Sequence, residues 1–218
     1  VFDENKRPGG QLFKQIHKFF GSKEHQAKVR GINIGKKLLA EAEETGVEVR
    51  LDSQVTGIFR NNAVGVFSNG EMDTFYANNV IVATGASERT LPFEGCTLPG
   101  VIGAGAAQTM INLHGVKPGQ KILMVGSGNV GLVVSYQLMQ AGCEVVAVID
   151  GAPKVSGYGV HAAKIARMGV PFYLSHTIEQ ATGTDCVDGV DIVEVDSKWN
   201  KIEGTKKHFD VDIICVAV

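Results

Sequence analysis

Residues 121–131 read KILMVGSGNVG, and this stretch constrains the fold more than any other. Ile122 to Val125 is an uninterrupted apolar run, which suits a parallel strand covered on both faces. Gly126, Gly128 and Gly131 follow in the pattern G-x-G-x-x-G. The next segment, LVVSYQLMQAG, has helical periodicity, with Val130, Val134 and Leu138 on one face and a stop at Gly142. EVVAVID is then a second strand ending in Asp150. The glycine pattern alone is weak. Strand, turn, helix and strand in this order, with an acidic residue about 20 positions on, predict a dinucleotide-binding βαβ unit.

Each residue has a physical task in such a unit. Gly126 permits the sharp turn, Gly128 lacks the Cβ that would block a pyrophosphate, and Gly131 lets helix and strand approach closely. The amides of the first helical turn and the positive end of the helix dipole face the phosphates, so Ser127, Asn129 and Val130 join the glycines as candidate cofactor residues. A carboxylate at Asp150 accepts from ribose hydroxyls and repels a 2′-phosphate. No arginine stands in the residues just after it, so NAD(H) is expected over NADP(H). The blander alternatives are a tight glycine turn without a ligand and, for Asp150, a solvated strand end.

The chain opens on VFDENKRPGGQL, which reads as the end of another such second strand, with Asp3 and Glu4 at its tip. The glycine-rich turn belonging to it is expected about 20 residues upstream. Leu12, Phe13, Ile16, Phe19 and Phe20 then recur at helical spacing, and KKLLAEAEETG is a good helix former closed by Gly46. VEVRLDSQVTGI alternates as a strand does, Asn69-Gly70 marks a hairpin, and NNVIVATG reads as a buried strand. The Pro- and Gly-bearing stretch between about 100 and 118 reads as a linker containing a short helix, AAQTMINLHG. It places the domain boundary at 105/106. Beyond the glycine turn come a helix near His161 to Met168, a strand PFYLS, hairpin strands near VDIVEVDS and HFDVD, and the terminal run IICVAV. The ends of the two halves echo each other, NNVIVATG against VDIICVAV.

Composition narrows the partners. A net charge of -2 gives no general attraction to nucleic acid or anionic membrane. Lys14, Lys18, Lys23, Lys28, Arg30, Lys36 and Lys37 form a basic stretch, but the aromatics there keep core spacing, which favours a solvated face over a phosphate patch. No apolar run approaches the ~20 residues of a membrane span. Cys96, Cys143, Cys186 and Cys215 stand singly, with no C-x-x-C, which fits reduced thiols and a cytoplasmic location. No histidine pattern suggests a metal, and none is expected.

Taken together, DENKRPGGQL, NNVIVATGASERTLP, LPGV, and VGSGNVG with VVAVID resemble the pyridine nucleotide-disulfide oxidoreductase superfamily essentially end to end. ATGASERTLPFEG, LPGVIGAGAAQ and VSGYGVHAAKI look most like the flavin subunits of amine and amino-acid dehydrogenases. These are the sarcosine oxidase alpha, opine oxidase A and hydrogen cyanide synthase types. The resemblance implies an α/β chain in which residues 106–218 form a Rossmann-like NAD-binding domain with a parallel sheet and a β-meander. Residues 1–105 form a truncated FAD-binding domain of the same type, so the chain is expected to be the central part of a longer flavoprotein.

The resemblance also implies that Asp3, or else Glu4, meets the FAD ribose and that Gly9, Gly10 and Gln11 lie along the flavin cofactor. Val55 is placed at the adenine, and Thr84 and Gly85 at the crossing between domains. The dithiol motifs of the disulfide reductases are missing, so no dithiol relay is expected. Without the phosphate turn ahead of Val1, the chain by itself is expected to hold FAD poorly and to be inactive.

The function implied is FAD-dependent oxidation of a C–N bond in a small amine or amino acid, and the possible partner is a second oxidoreductase subunit. No acid, base or nucleophile stands out as catalytic. An NADH-dependent flavin reductase feeding an iron-sulfur or protein acceptor, and a binding module without turnover, are the alternatives.

Overall fold

The computed structural model describes residues 1–19 and 21–218. The chain packs as two units, Val1–Ala86 and Ser87–Val218.

In the first unit, a 3-10 helix at Gly10–Lys14 is followed by α1 (Gly31–Glu44) and by β1 (Gln54–Ile58), β2 (Ala63–Ser68) and β3 (Glu71–Tyr76). These strands make an antiparallel sheet in the order β1-β2-β3. Ser68 pairs with Glu71 across Asn69 and Gly70, both at positive φ, as a two-residue hairpin requires. α1 ends as expected, with Gly46 at φ 73.

Two expectations fail here. The helical spacing from Leu12 to Phe20 yields only the short 3-10 turn, and Phe20 lies outside the described residues. Backbone bonds from Phe19 N–H to Val29 and from Lys28 N–H to Phe19 draw the chain into a loop, while Leu12 and Phe13 pack against Gly35 of α1. Tertiary contacts override the periodicity. NNVIVATG is not a buried strand: it pairs with no described strand, and Ile81 is 92 % exposed. An apolar run becomes a sheet interior only where neighbours supply backbone partners.

The second unit begins with β4 (Val101–Gly103) and α2 (Ala104–His114), then β5 (Lys121–Val125), α3 (Asn129–Gln140), β6 (Glu144–Asp150), α4 (Gly159–Arg167) and β7 (Phe172–Leu174). β8 (His176–Thr182), β9 (Gly189–Glu194), β10 (Lys207–Phe209) and β11 (Ile213–Val216) complete it. Five strands form a parallel sheet in the order β4-β11-β5-β6-β7. β8, β9 and β10 form an antiparallel meander. The segment from Ser87 to Gly105, which the sequence groups with the flavin half, packs with this unit because β4 pairs with β11.

Alternation along each strand explains the layers. Ile122, Met124, Val148, Ile213 and Cys215 point to one face and meet Ala104, Ala107, Leu132, Val134, Leu138 and Ile165 from the helices. Leu123, Val125, Ala147, Ile149, Ile214 and Val216 point to the other and meet Ile178, Ala181, Val190, Ile192 and Val211 of the meander and its return. The KILMV strand is therefore covered on both faces. Each fully buried aliphatic side chain contributes about 1.5–3 kcal/mol. The strand order reverses between β5 and β11, which puts the turn after β5 at the switch point, where open α/β sheets hold ligands.

Candidate functional site

The glycine turn joins β5 to α3, as the sequence predicts. Gly126 has φ 103, and a Cβ there would lie 2.5 Å from the Ala217 carbonyl oxygen, so backbone and neighbour both require glycine. At Gly131 a Cβ would lie 2.1 Å from the Gly126 carbonyl oxygen, which shows that this glycine lets the helix close onto its own turn. Gly128 differs. Its φ is −68, and a Cβ would meet only Ser156 Oγ, at 3.8 Å. The protein itself would accept a side chain at 128, and the space that a Cβ would fill opens outward.

The helix start faces the same opening. The first bond into α3 is from Leu132 N–H to the Gly128 carbonyl at 3.0 Å, and among the described residues the amides of Asn129, Val130 and Gly131 donate to no protein acceptor. Val130, which periodicity groups with Val134 and Leu138, is 55 % exposed in this first turn. Unsatisfied N–H groups at the positive end of a helix dipole favour an anion.

Ser127 is fully buried and ties the turn to β6. Its N–H donates to Asp150 Oδ2 at 2.7 Å, and its hydroxyl donates to the same oxygen. The other oxygen, Oδ1, accepts from Ala152 N–H at 2.9 Å. A carboxylate has roughly four acceptor positions. Three are used within the chain, which leaves one on Oδ1 for an outside donor.

Sequence reasoning also missed a clasp. Gly157 N–H donates to the Ser127 carbonyl at 2.9 Å, and Tyr158 N–H donates to Asn129 Oδ1 at 2.8 Å. A Cβ at Gly157 would sit 3.0 Å from the Asn129 amide. The signal was present as the SGYG run, in which two glycines flank an aromatic residue. Between 151 and 158 the only cation is Lys154, which is exposed.

In the first unit, Asp3 and Glu4 lie against the residues just ahead of β1, with Ser53 N–H donating to the Asp3 carbonyl at 3.0 Å. Asp3 N–H donates to the Arg50 carbonyl at 3.0 Å, and Asp3 Oδ1 accepts from the backbone and side-chain nitrogens of Asn5, each at 2.9 Å. Glu4 lines a cleft of about 290 Å³ with Asp52, Gln54, Phe67, Ser68 and Asn69, and Val55 is the next residue of β1. Acidic and amide groups of this kind suit sugar hydroxyls. Gly9 turns at φ 114, where a Cβ would overlap the Phe13 ring, so packing already accounts for it. Gly10 follows at φ 48, and Gln11 is exposed. Thr84 and Gly85 are exposed, and no described hydrogen bond joins them to the other residues of this group.

Among the described residues, no group of three or more His, Cys, Asp or Glu side chains could hold a metal, and no helix is long and apolar enough to cross a membrane. All four cysteines are free.

The family model described as "Pyridine nucleotide-disulphide oxidoreductase" matches residues 1–218. The opine oxidase A protein of Agrobacterium tumefaciens (strain Ach5) is 33% identical over 162 residues, covering 70% of this chain and 32% of its own length. The sarcosine oxidase alpha protein of Rhizobium meliloti (strain 1021) is 39% identical over 77 residues, 35% of this chain and 8% of its own. The chain thus spans a third or less of these two curated relatives. The crystal structure of T. acidophilum thioredoxin reductase superposes with a TM-score of 0.74 at 19% identity over all of this chain and 67% of that one, a likeness of fold.

Proposed function

The chain belongs to the pyridine nucleotide-disulphide oxidoreductase family, and from that premise we propose that it is part of an FAD-dependent, NAD(H)-binding oxidoreductase that oxidises a C–N bond of an amine or amino acid. The observation that carries the dinucleotide half is Gly128. Neither its backbone angle nor any described neighbour requires glycine there, yet it stands before three amides that donate to no described acceptor. A diphosphate accounts for both.

The chain's own residues divide the work. Gly126 and Gly131 shape the turn, Ser127 anchors it through Asp150, and the amides of Asn129, Val130 and Gly131 receive the phosphates. Asp150 Oδ1 takes one ribose hydroxyl and its charge disfavours a 2′-phosphate. For the flavin, Asp3 or Glu4 and Val55 are proposed at the adenosine, with Gly9, Gly10, Gln11, Thr84 and Gly85 along the remainder. When bound, the flavin supplies the two-electron acceptor for C–N oxidation. Resemblance to proteins named as components of opine oxidase and sarcosine oxidase supports the amine substrate class and the presence of a partner polypeptide. A cytoplasmic location is proposed with them.

Two measurements test this. NADH added to the protein should give a saturable rise in nicotinamide fluorescence, with NADPH at least tenfold weaker; equal or tighter NADPH binding contradicts the role of Asp150. In the full-length enzyme, anaerobic sarcosine, proline or an opine should bleach the flavin. Bleaching by NADH alone would instead identify a flavin reductase.

A further inference from the structure

Trp199 is the only tryptophan of the chain, and its side chain is left in the open, 66 % exposed, at the tip between β9 and β10. The indole thus presents a large aromatic surface to water at a loop tip. The tip is not slack. Asp196 accepts from the amides of Lys198 at 2.8 Å and Asn200 at 2.9 Å and from the Asn200 side chain at 3.0 Å, while Trp199 N–H donates to the Asp196 carbonyl at 3.0 Å. Trp199 is held at φ 66, a region that bulky residues occupy only when their surroundings impose it.

The imposed conformation lays the indole on Gly151. A Cβ on that residue would lie 2.1 Å from ring atom Cζ3 and 2.6 Å from Cη2. Gly151 is not at positive φ, so the ring, rather than the backbone, requires a glycine there. Gly151 directly follows Asp150. The tip is tied to the same end of the sheet by Val195 N–H to the Ser175 carbonyl at 2.7 Å and Ser175 N–H to the Ala152 carbonyl at 3.0 Å.

We propose that Trp199 is the wall on which the adenine of a bound dinucleotide stacks. The inference rests on the dinucleotide reading above and adds a binding residue from a different element. The base is carried on the same sugar ring whose hydroxyl meets Asp150, so it emerges beside the residue that the indole covers. The benzo edge of the indole lies against Gly151, and the residue's 66 % exposure leaves ring surface free for a second aromatic plane. Base stacking on an aromatic side chain is typically worth about tenfold or more in affinity.

Because no other tryptophan is present, intrinsic emission reports on this ring alone. Adding ADP-ribose, which lacks the nicotinamide, should quench the tryptophan fluorescence saturably. Trp199→Ala should weaken ADP-ribose by about tenfold in calorimetry, while Trp199→Phe, which keeps a flat ring, should stay within about threefold. Circular dichroism checks that both variants fold. If ADP-ribose binds the unmodified protein without changing tryptophan emission, or binds Trp199→Ala equally well, the wall is wrong and the dinucleotide reading stands. Equal losses in both variants without quenching reveal a packing role and also overturn it. If ADP-ribose does not bind the unmodified protein, both readings fall.

Discussion

Ser127 gives its backbone N–H and its hydroxyl to a single oxygen of Asp150, so the carboxylate expected to meet the cofactor is also a fastener of the turn that holds it. Truncating it strands two buried donors, at about 1–3 kcal/mol for each unsatisfied group. Asp150→Ala should therefore lower the unfolding free energy by about 2–4 kcal/mol in urea titration and weaken NADH as well. Ser127→Ala keeps the amide bond and should cost less. A stability change below about 0.5 kcal/mol for Asp150→Ala would show that the fastening is unimportant.

A second expectation concerns pH. On the meander, His208 Nδ1 lies 2.7 Å from Asp191 Oδ1, and Lys206 Nζ and Gln180 Nε2 approach Asp191 Oδ2 at 3.2 and 2.8 Å. Burial by itself would push the Asp191 carboxyl up. The hydrogen bonds from His208, Lys206 and Gln180 outweigh it and leave the carboxyl below its ordinary value. The bond to Asp191 holds the His208 imidazole above its ordinary value. For a raised histidine, the stabilisation is complete below the unfolded value of about 6.5 and fades as pH climbs through the folded one. For a lowered carboxylate, it is complete above about 4 and fades as pH falls through the folded value. The pair thus contributes fully between about pH 4 and 6.5. His208→Asn should lower the melting temperature by about 1–3 °C at pH 6 and by less at pH 9. A deficit that grows with pH would contradict this assignment.

The thiols should separate by environment. Cys215 is buried in β11, where burial, and after it the charge of Glu88, pushes the thiol up to about 12. Burial also raises Cys143. Cys186 is exposed and Cys96 intermediate. A disulfide reagent at pH 8 should modify Cys186 first and Cys96 more slowly, and should reach Cys143 and Cys215 only after urea is added. Rapid native labelling of Cys215 would mean that the core around β11 opens readily.

How far the sequence reached depends on whether local pattern and tertiary demand agree. Around KILMVGSGNVG they do: Ile122, Leu123 and Met124 are fully buried, and two of the three glycines are enforced by contacts within a few residues or across one strand pair. β8 was not legible, because a bulge between Ile178 and Gln180 breaks the alternation and so brings Ile178 and Ala181, three positions apart, into one core layer. The run Asn78–Gly85 has strand composition, yet pairing depends on partners that composition does not reveal. Trp199 carries no periodic signal, and its contact with Gly151 joins positions far apart in the chain. The second role of Asp150 was hidden for a similar reason, since the spacing shows a carboxylate at a strand end but not the serine already bonded to it.

Replacing Gly128 by alanine tests the central claim most directly, because the chain leaves that position open and only a bound diphosphate needs it empty. The variant should melt within about 2 °C of the parent, since a surface change without new contacts is worth little. Its NADH affinity, followed by nicotinamide fluorescence, should fall tenfold or more. A Gly128→Ala protein that folds normally and binds NADH as tightly as the parent would contradict the account.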